Sequence, residues 1–158
     1  MSQLINVHIG EVKTGSGNQV LQALLGSCVG VALLWKKQNI FGLAHCLLAN
    51  TPNSKSIHGG KYVDQAIHSL VNMMSITPDK RFDVSAVIIG GGNMTKPPET
   101  ENEKLVGFLN TQCAIETLEE LKINILHQET GGTYGRKIRV DCNTGLYAVD
   151  IIPRPEVA

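Results

Sequence analysis

The chain has 158 residues, with 14 basic and 14 acidic side chains and a charged fraction of 18%. This length favours a single domain spanning residues 1–158, with a core that needs no disulfide or metal to hold it. The formal net charge of zero provides no electrostatic attraction for nucleic acid or for an anionic membrane. No nucleic-acid partner is therefore expected, and a protein partner would be recognised by shape and local chemistry.

The apolar runs at 29–35 and 41–49 are much shorter than the roughly 20 residues of a membrane-spanning helix, so no membrane insertion is predicted. The first residues lack the basic stretch followed by an apolar one that marks a secretory signal. The four cysteines form no Cys-x-x-Cys pair, which is typical of free thiols in a reducing compartment. These features together predict a cytoplasmic location.

Clusters of Gly, Pro and Asn divide the sequence into short elements. Runs rich in Val, Ile and Leu predict strands near 5–9, 19–25, 29–35, 40–48, 83–89, 123–128, 137–142 and 146–152. Apolar residues at helical spacing predict helices over 61–76 and 103–121. The tripeptide Asn143-Thr144-Gly145 predicts a tight turn between the last two strands, because glycine readily adopts positive φ.

The segments 29–35 and 40–48 are apolar at both odd and even positions, which predicts strands buried on both faces. The fold class expected is therefore α/β, with a central β-sandwich flanked by helices. The second helix should bury a stripe of large apolar residues, namely Leu105, Phe108, Ile115, Leu118 and Leu121. The segments 51–60 and 90–102 are expected to be exposed loops.

A cysteine and a histidine fall on two consecutive predicted strands. Cys28 lies in the bend Gly26-Ser27-Cys28-Val29-Gly30, and His45 lies in the strand after the turn at 36–39. A two-residue turn would place Cys28 and His45 directly opposite each other, about 5 Å apart at Cβ, and a four-residue turn would make them diagonal neighbours at about 7–8 Å. A three-residue turn would set Cys28 against Cys46 and turn His45 to the other face.

Such a pair has the chemistry for nucleophilic attack on a carbonyl. A free thiol has a pKa of about 8.5, so it is mostly protonated at neutral pH unless a neighbouring imidazole takes its proton. His45 would be the general base, and backbone N–H groups of the bend, at Gly26 and Ser27, would face the oxyanion. The alternative is that Cys28 is a small buried apolar residue, a common environment for free cysteine.

Two further patterns suggest bound groups. Cys46 beside His45, together with His58, has ligand types that bind metals, but no second close pair completes the spacing of a zinc site. The run Gly90-Gly91-Gly92 is not a Gly-x-Gly-x-x-Gly phosphate loop, and 97–98 are prolines. Neither a metal nor a cofactor is therefore expected, and the glycine run is interpreted as a substrate-side or structural loop.

Five sequence blocks, in order, resemble the CheD family of chemoreceptor glutamine deamidases. These blocks are 24–31 (LLGSCVGV), 42–45 (GLAH), 60–64 (GKYVD), 89–94 (IGGGNM) with 106–110, and 129–132 (ETGG) with 137–149. The resemblance extends over nearly the whole chain. It implies an α/β sandwich like the catalytic domain of deamidating bacterial toxins.

The resemblance also implies an activity and partners. Members of the family convert glutamines on the cytoplasmic helices of methyl-accepting chemotaxis receptors to glutamates and release ammonia. By position, the nucleophile of the family corresponds to Cys28 and its base to His45. A CheC-type phosphatase is an implied second partner, and a regulatory binding module without turnover is the alternative function.

One position departs from the family pattern. The third catalytic position, six residues before the cysteine and commonly threonine, is Gln22 here. If the strand stays extended, alternation places Gln22 on the same face as Cys28. Its amide oxygen is then expected to accept the imidazole N–H and orient His45.

Overall fold

The computed structural model describes residues 2–52 and 59–154. Its strands are β1 (Gln3–Asn6), β2 (Val12–Gly15), β3 (Gln19–Leu25), β4 (Val29–Trp35), β5 (Ile40–Cys46), β6 (Ser85–Gly90), β7 (Asn124–Thr130), β8 (Gly135–Asp141) and β9 (Leu146–Ile152). Its helices are α1 (Val63–Met73) and α2 (Val106–Glu120), and short 3₁₀ turns lie at Lys36–Gln38, Pro78–Asp83 and Asn102–Lys104.

The strands form two sheets packed face to face. One has four strands in the order β1-β3-β8-β9, and the other has five in the order β2-β5-β4-β6-β7. One apolar core fills the space between the sheets, and a second lies between the five-stranded sheet and the two helices. The predicted α/β class is confirmed, with the described helices on one side of the sandwich.

Strand β4 lies in the middle of the five-stranded sheet and separates the two cores. All of its residues are buried, as the apolar sequence at odd and even positions predicts. Val31 and Leu33 face the helices, whereas Ala32 and Leu34 face the second sheet. Strand β4 therefore contributes one face to each core.

The predicted turn before the last strand is confirmed, since Gly145 has a φ of 74° and donates its N–H to the Asp141 carbonyl. Strands β3, β4 and β9 have the predicted bounds. Strand β2 was missed, because Val-Lys-Thr-Gly is too short for an alternation signal and depends on pairing with β5.

The buried face of α2 differs from the predicted stripe. Phe108 and Ile115 are only half-buried, and small or polar residues face the sheet instead. The reason is close packing, since a Cβ atom on Gly107 would lie 2.3 Å from the Gly91 carbonyl oxygen. Large side chains on that face would push the helix away from the sheet.

The prediction of an exposed loop at 90–102 is wrong at its start, where the residues at 90–93 are buried. These residues continue from β6 and pass beneath the N-terminal end of α2, next to Gly107. Of the expected loop at 51–60, residues 53–58 lie outside the described residues. Within the described residues, no helix has the length and apolar character needed to cross a membrane.

Candidate active site

The register of the β4–β5 hairpin brings Cys28 and His45 to one face of the five-stranded sheet. Gly30 pairs with His45, and the strands are joined by the four residues at 36–39, in which Asn39 adopts the left-handed conformation with a φ of 54°. This register corresponds to the four-residue alternative, so Cys28 is diagonal to His45. Both side chains are buried between the sheets, with 6% of Cys28 and 4% of His45 exposed.

The His45 imidazole is fixed by a backbone carbonyl. Its Nδ1 lies 2.9 Å from the Val7 carbonyl oxygen, and a carbonyl can only accept, so Nδ1 carries the proton. In the neutral ring Nε2 is then a lone-pair acceptor. Nε2 is buried and has no hydrogen-bond partner among the described residues. The imidazole is therefore held in the tautomer that a general base requires.

Burial keeps both members of the pair neutral. Desolvation raises the pKa of the Cys28 thiol, an effect that its own backbone N–H partly offsets. Desolvation likewise lowers the pKa of His45, against the opposing effect of its bond to Val7. These directions favour a neutral thiol and a neutral imidazole over a thiolate–imidazolium ion pair, and no hydrogen bond joins the two side chains among the described residues.

The glycine run after β6 supports the segment that carries Cys28. The N–H of Gly91 donates to the Cys28 carbonyl and that of Gly92 to the Gly26 carbonyl, each at 2.9 Å. Gly90 has a φ of 109°, and a Cβ atom there would lie 2.4 Å from the Cys28 carbonyl oxygen. The run therefore has a structural role directly behind Cys28.

A buried amide on α2 reaches the same segment. The Asn110 Nδ2 atom lies 3.4 Å from the Ser27 carbonyl oxygen and 3.0 Å from the Leu47 carbonyl oxygen. Asn110 thus connects the bend before β4 to the residues that follow β5. Sequence reasoning assigned no role to Asn110, although a polar residue on a buried helix face is a usable signal.

The predicted hydrogen bond from His45 to Gln22 is wrong. The Gln22 amide oxygen accepts from Arg139 Nε at 2.9 Å, and its amide nitrogen donates to Asn6 at 3.0 Å. The backbone bends after Leu25, so strand alternation does not carry through to Cys28. The Val7 carbonyl, which leaves no side-chain signal in the sequence, occupies the orienting position instead.

A cavity of about 410 Å³ adjoins the imidazole. It is lined by Asn6, Val7, His8, Ile9, Gln22, Ala23, Leu24 and His45. Gln22 therefore borders the site without a bond to the imidazole.

The first two residues of the metal site considered from the sequence, Cys46 and His45, do not have the geometry needed to bind one metal ion. Cys46 belongs to the core on the helix side of the sheet, whereas His45 lies on the opposite face. The third residue of that alternative, His58, lies outside the described residues. Burial raises the pKa of the Cys46 thiol far above its usual range, which marks it as an inert core residue.

A buried thiol on the same sheet face as an oriented imidazole is the pairing used in cysteine-dependent acyl transfer. The family model described as CheD chemotactic sensory transduction matches residues 47–150. A probable chemoreceptor glutamine deamidase CheD 2 from Ruegeria sp. (strain TM1040) is 36% identical, over 95% of this chain and 93% of the relative. A probable chemoreceptor glutamine deamidase CheD from Bdellovibrio bacteriovorus is 34% identical, over 94% of this chain and 95% of the relative. The chain belongs to the CheD family.

Proposed function

We propose that this protein is a glutamine deamidase of chemotaxis receptors, with Cys28 as nucleophile and His45 as general base. The names of its relatives support the substrate class. The observation that carries the chemistry is Nε2 of His45, which has no hydrogen-bond partner in the described part of the chain and lies on the same sheet face as Cys28. A buried proton acceptor thereby shares one sheet face with a thiol that needs one.

The reaction proceeds in two halves. His45 Nε2 takes the Cys28 proton while the sulfur attacks the side-chain carbonyl carbon of the glutamine and forms a tetrahedral oxyanion. The intermediate collapses when His45 protonates the amide nitrogen, which releases ammonia and leaves a thioester. Water then gives a proton to His45, attacks the thioester and releases glutamate, and the thiol recovers its proton.

The oxyanion donors proposed are backbone N–H groups of the bend. In a planar trans peptide, a carbonyl and the following N–H point in opposite directions. The Gly26 carbonyl is directed at Gly92, so the Ser27 N–H points away from the glycine run. The Ser27 and Cys28 N–H groups donate to no backbone carbonyl among the described residues, which leaves them available for a substrate oxygen.

The same proposal covers the substrate, the location of the protein, its fold resemblance and a second partner. The substrate would be a glutamine on a cytoplasmic receptor helix, which requires the protein to be in the cytoplasm. The resemblance to the catalytic domain of deamidating toxins is supported by the two-sheet sandwich and by the thiol at a strand junction. A CheC-type phosphatase is a proposed second partner, on the family resemblance alone.

A regulatory binding module without turnover is the second candidate. The observation that favours it is Gln22, which stands where the family commonly has threonine and bonds to Arg139 rather than to His45. The Val7 carbonyl argues for turnover, because it supplies the orientation that a third side chain would otherwise give.

The deciding experiment incubates the full chain with receptor cytoplasmic fragments and follows Gln-to-Glu conversion by peptide mass spectrometry. Conversion should be lost in Cys28→Ala, which removes the nucleophile, and retained in the matched control Cys46→Ala, which removes a thiol on the other face. Conversion that persists in Cys28→Ala would disprove the mechanism. Receptor binding without conversion by the unmodified chain would favour the regulatory module.

A further inference from the structure

Asn110 is the side chain that holds the peptide immediately before the nucleophile. It is fully buried on α2, with 0% of its surface exposed. Its Nδ2 reaches the Ser27 carbonyl across 83 residues of sequence and the Leu47 carbonyl across 63. The amide nitrogen has two N–H donors, so one group serves both carbonyls.

The position of the Ser27 carbonyl determines where the Cys28 N–H points. The two groups belong to one planar peptide and are directed oppositely. Because Asn110 lies on the carbonyl side, the Cys28 N–H is directed to the other side. The plane of this peptide is set by ψ of Ser27 and φ of Cys28, so a hydrogen bond to the Ser27 carbonyl restricts its rotation.

The Asn110 amide lowers the stability of the fold, and packing alone does not explain why an amide stands at this position. Asn110 Oδ1 is buried and has no donor within the described part of the chain. An unpaired buried acceptor destabilises a fold, and an apolar side chain would avoid that cost. What an apolar side chain lacks is a donor for the Ser27 and Leu47 carbonyls.

We propose that Asn110 is a positioning residue, which holds the Ser27 carbonyl so that the Cys28 N–H is aimed at the oxyanion formed on the substrate amide. This inference rests on the proposed function and adds a role for a residue outside the thiol–imidazole pair. Asn110 itself touches neither the substrate nor the sulfur. It acts only through the Ser27–Cys28 peptide.

The test is Asn110→Ala in the full chain, assayed for receptor deamidation. The kcat should fall on the order of 10- to 100-fold with KM unchanged, because an interaction made only in the transition state is weakened. Alkylation of Cys28 by iodoacetamide, followed by peptide mass spectrometry, should stay near the wild-type rate, since that reaction forms no oxyanion.

The matched control is Thr117→Val, which removes another buried polar group of α2 whose hydroxyl donates within the helix, to the Cys113 carbonyl. It should lower the melting temperature but leave kcat unchanged. Asn110→Leu, which fills the space without a donor, should reproduce the kcat defect of Asn110→Ala.

Three results would overturn the inference. The first is an unchanged kcat in both Asn110 variants. The second is a parallel loss of kcat and of Cys28 alkylation, which would indicate a general structural role. The third is failure of both variants to fold while Thr117→Val folds. Failure of the proposed function is distinguishable, because it would appear as turnover that survives in Cys28→Ala or as no conversion by the unmodified chain.

Discussion

At the level of single residues, protonation of His45 decides when the site is competent. The imidazole must be neutral for Nε2 to accept the thiol proton, and burial favours that neutral form by lowering the pKa of His45. The nearby Glu11 carboxylate acts in the opposite direction and raises this pKa, whereas His8 lowers it. If His45 is the general base as proposed, activity is expected to persist at a pH where an exposed histidine would be half charged.

The pH profile of kcat/KM tests this description. We expect activity to rise from acid pH with a midpoint below about 6.5, the ordinary value for histidine, because the free enzyme loses its base when His45 is protonated. Glu11→Gln removes a charge that stabilises the imidazolium, so it should move the midpoint to still lower pH. A midpoint above the ordinary histidine value, or an upward shift in Glu11→Gln, would contradict the assignment.

Sequence reasoning could locate the residues whose side chains carry reactive groups. Counting turn residues put Cys28 and His45 on one face for two of the three turn lengths considered, and the four-residue turn of the structure is one of those two. The Val7 carbonyl could not be found in this way, because every residue has a carbonyl. The role expected of Gln22 failed because the bend after Leu25 breaks the alternation on which it depended.

At the level of elements, the glycine run that follows β6 sets the position of the bend before β4. Gly90 combines positive φ with a backbone oxygen where its Cβ would stand, so no side chain fits without movement of the chain. The oxygen in the way belongs to Cys28. Any side chain at position 90 therefore displaces the nucleophile itself.

Gly90→Ala is expected to destabilise the fold by roughly 1–3 kcal/mol from backbone strain and to lower kcat by more than the unfolded fraction explains. The matched control is Gly17→Ala, which also has positive φ, at 60°, but has open space where its Cβ would lie. Thermal unfolding and deamidation assays of both variants compare the two effects. Equal kcat values for the two variants would show that Gly90 supports stability alone.

The success of the sequence predictions also differs from element to element. The bounds of β3 and β4 were predicted correctly because these strands are buried on one or both faces and their sequences are correspondingly apolar. The residues of β9 are exposed or half-buried, and the turn at Gly145 fixed its start. Strand β2 has only four residues, so the sequence pattern could not predict it without its pairing with β5. The face of α2 was misjudged because its contact with the sheet depends on a close approach at Gly107, which requires small residues rather than large apolar ones.

At the level of the whole molecule, Arg136 joins the two sheets at the end where the site lies. It belongs to β8 and is 1% exposed, yet its guanidinium reaches the Gly90 and Gly131 carbonyls at 3.2 and 2.9 Å. It also contacts the Glu129 carboxylate and stacks over the Tyr134 ring at 4.5 Å. A planar cation carried by the four-stranded sheet thus satisfies groups of the five-stranded sheet and of the loop that follows β7.

Arg136→Lys should lower the free energy of unfolding by roughly 1–3 kcal/mol, because an ammonium group cannot reproduce the planar fork that donates to the Gly90 and Gly131 carbonyls. Urea unfolding gives the measurement. The control is Arg139→Lys on the outer face of the same strand, which is exposed and should change stability by less than about 0.5 kcal/mol. Similar losses in the two variants would argue against a linking role for Arg136.

The four-residue turn between β4 and β5 has an evolutionary consequence. The loss of one residue there would move Cys46 into the place of His45, and the gain of one would move Ala44 there; either change would rotate the imidazole into the core beneath the helices. Natural length variation at this turn should therefore be absent or occur in steps of two among active relatives. Selection would then act on the number of residues in the turn, while the identities of its exposed side chains remain free to drift.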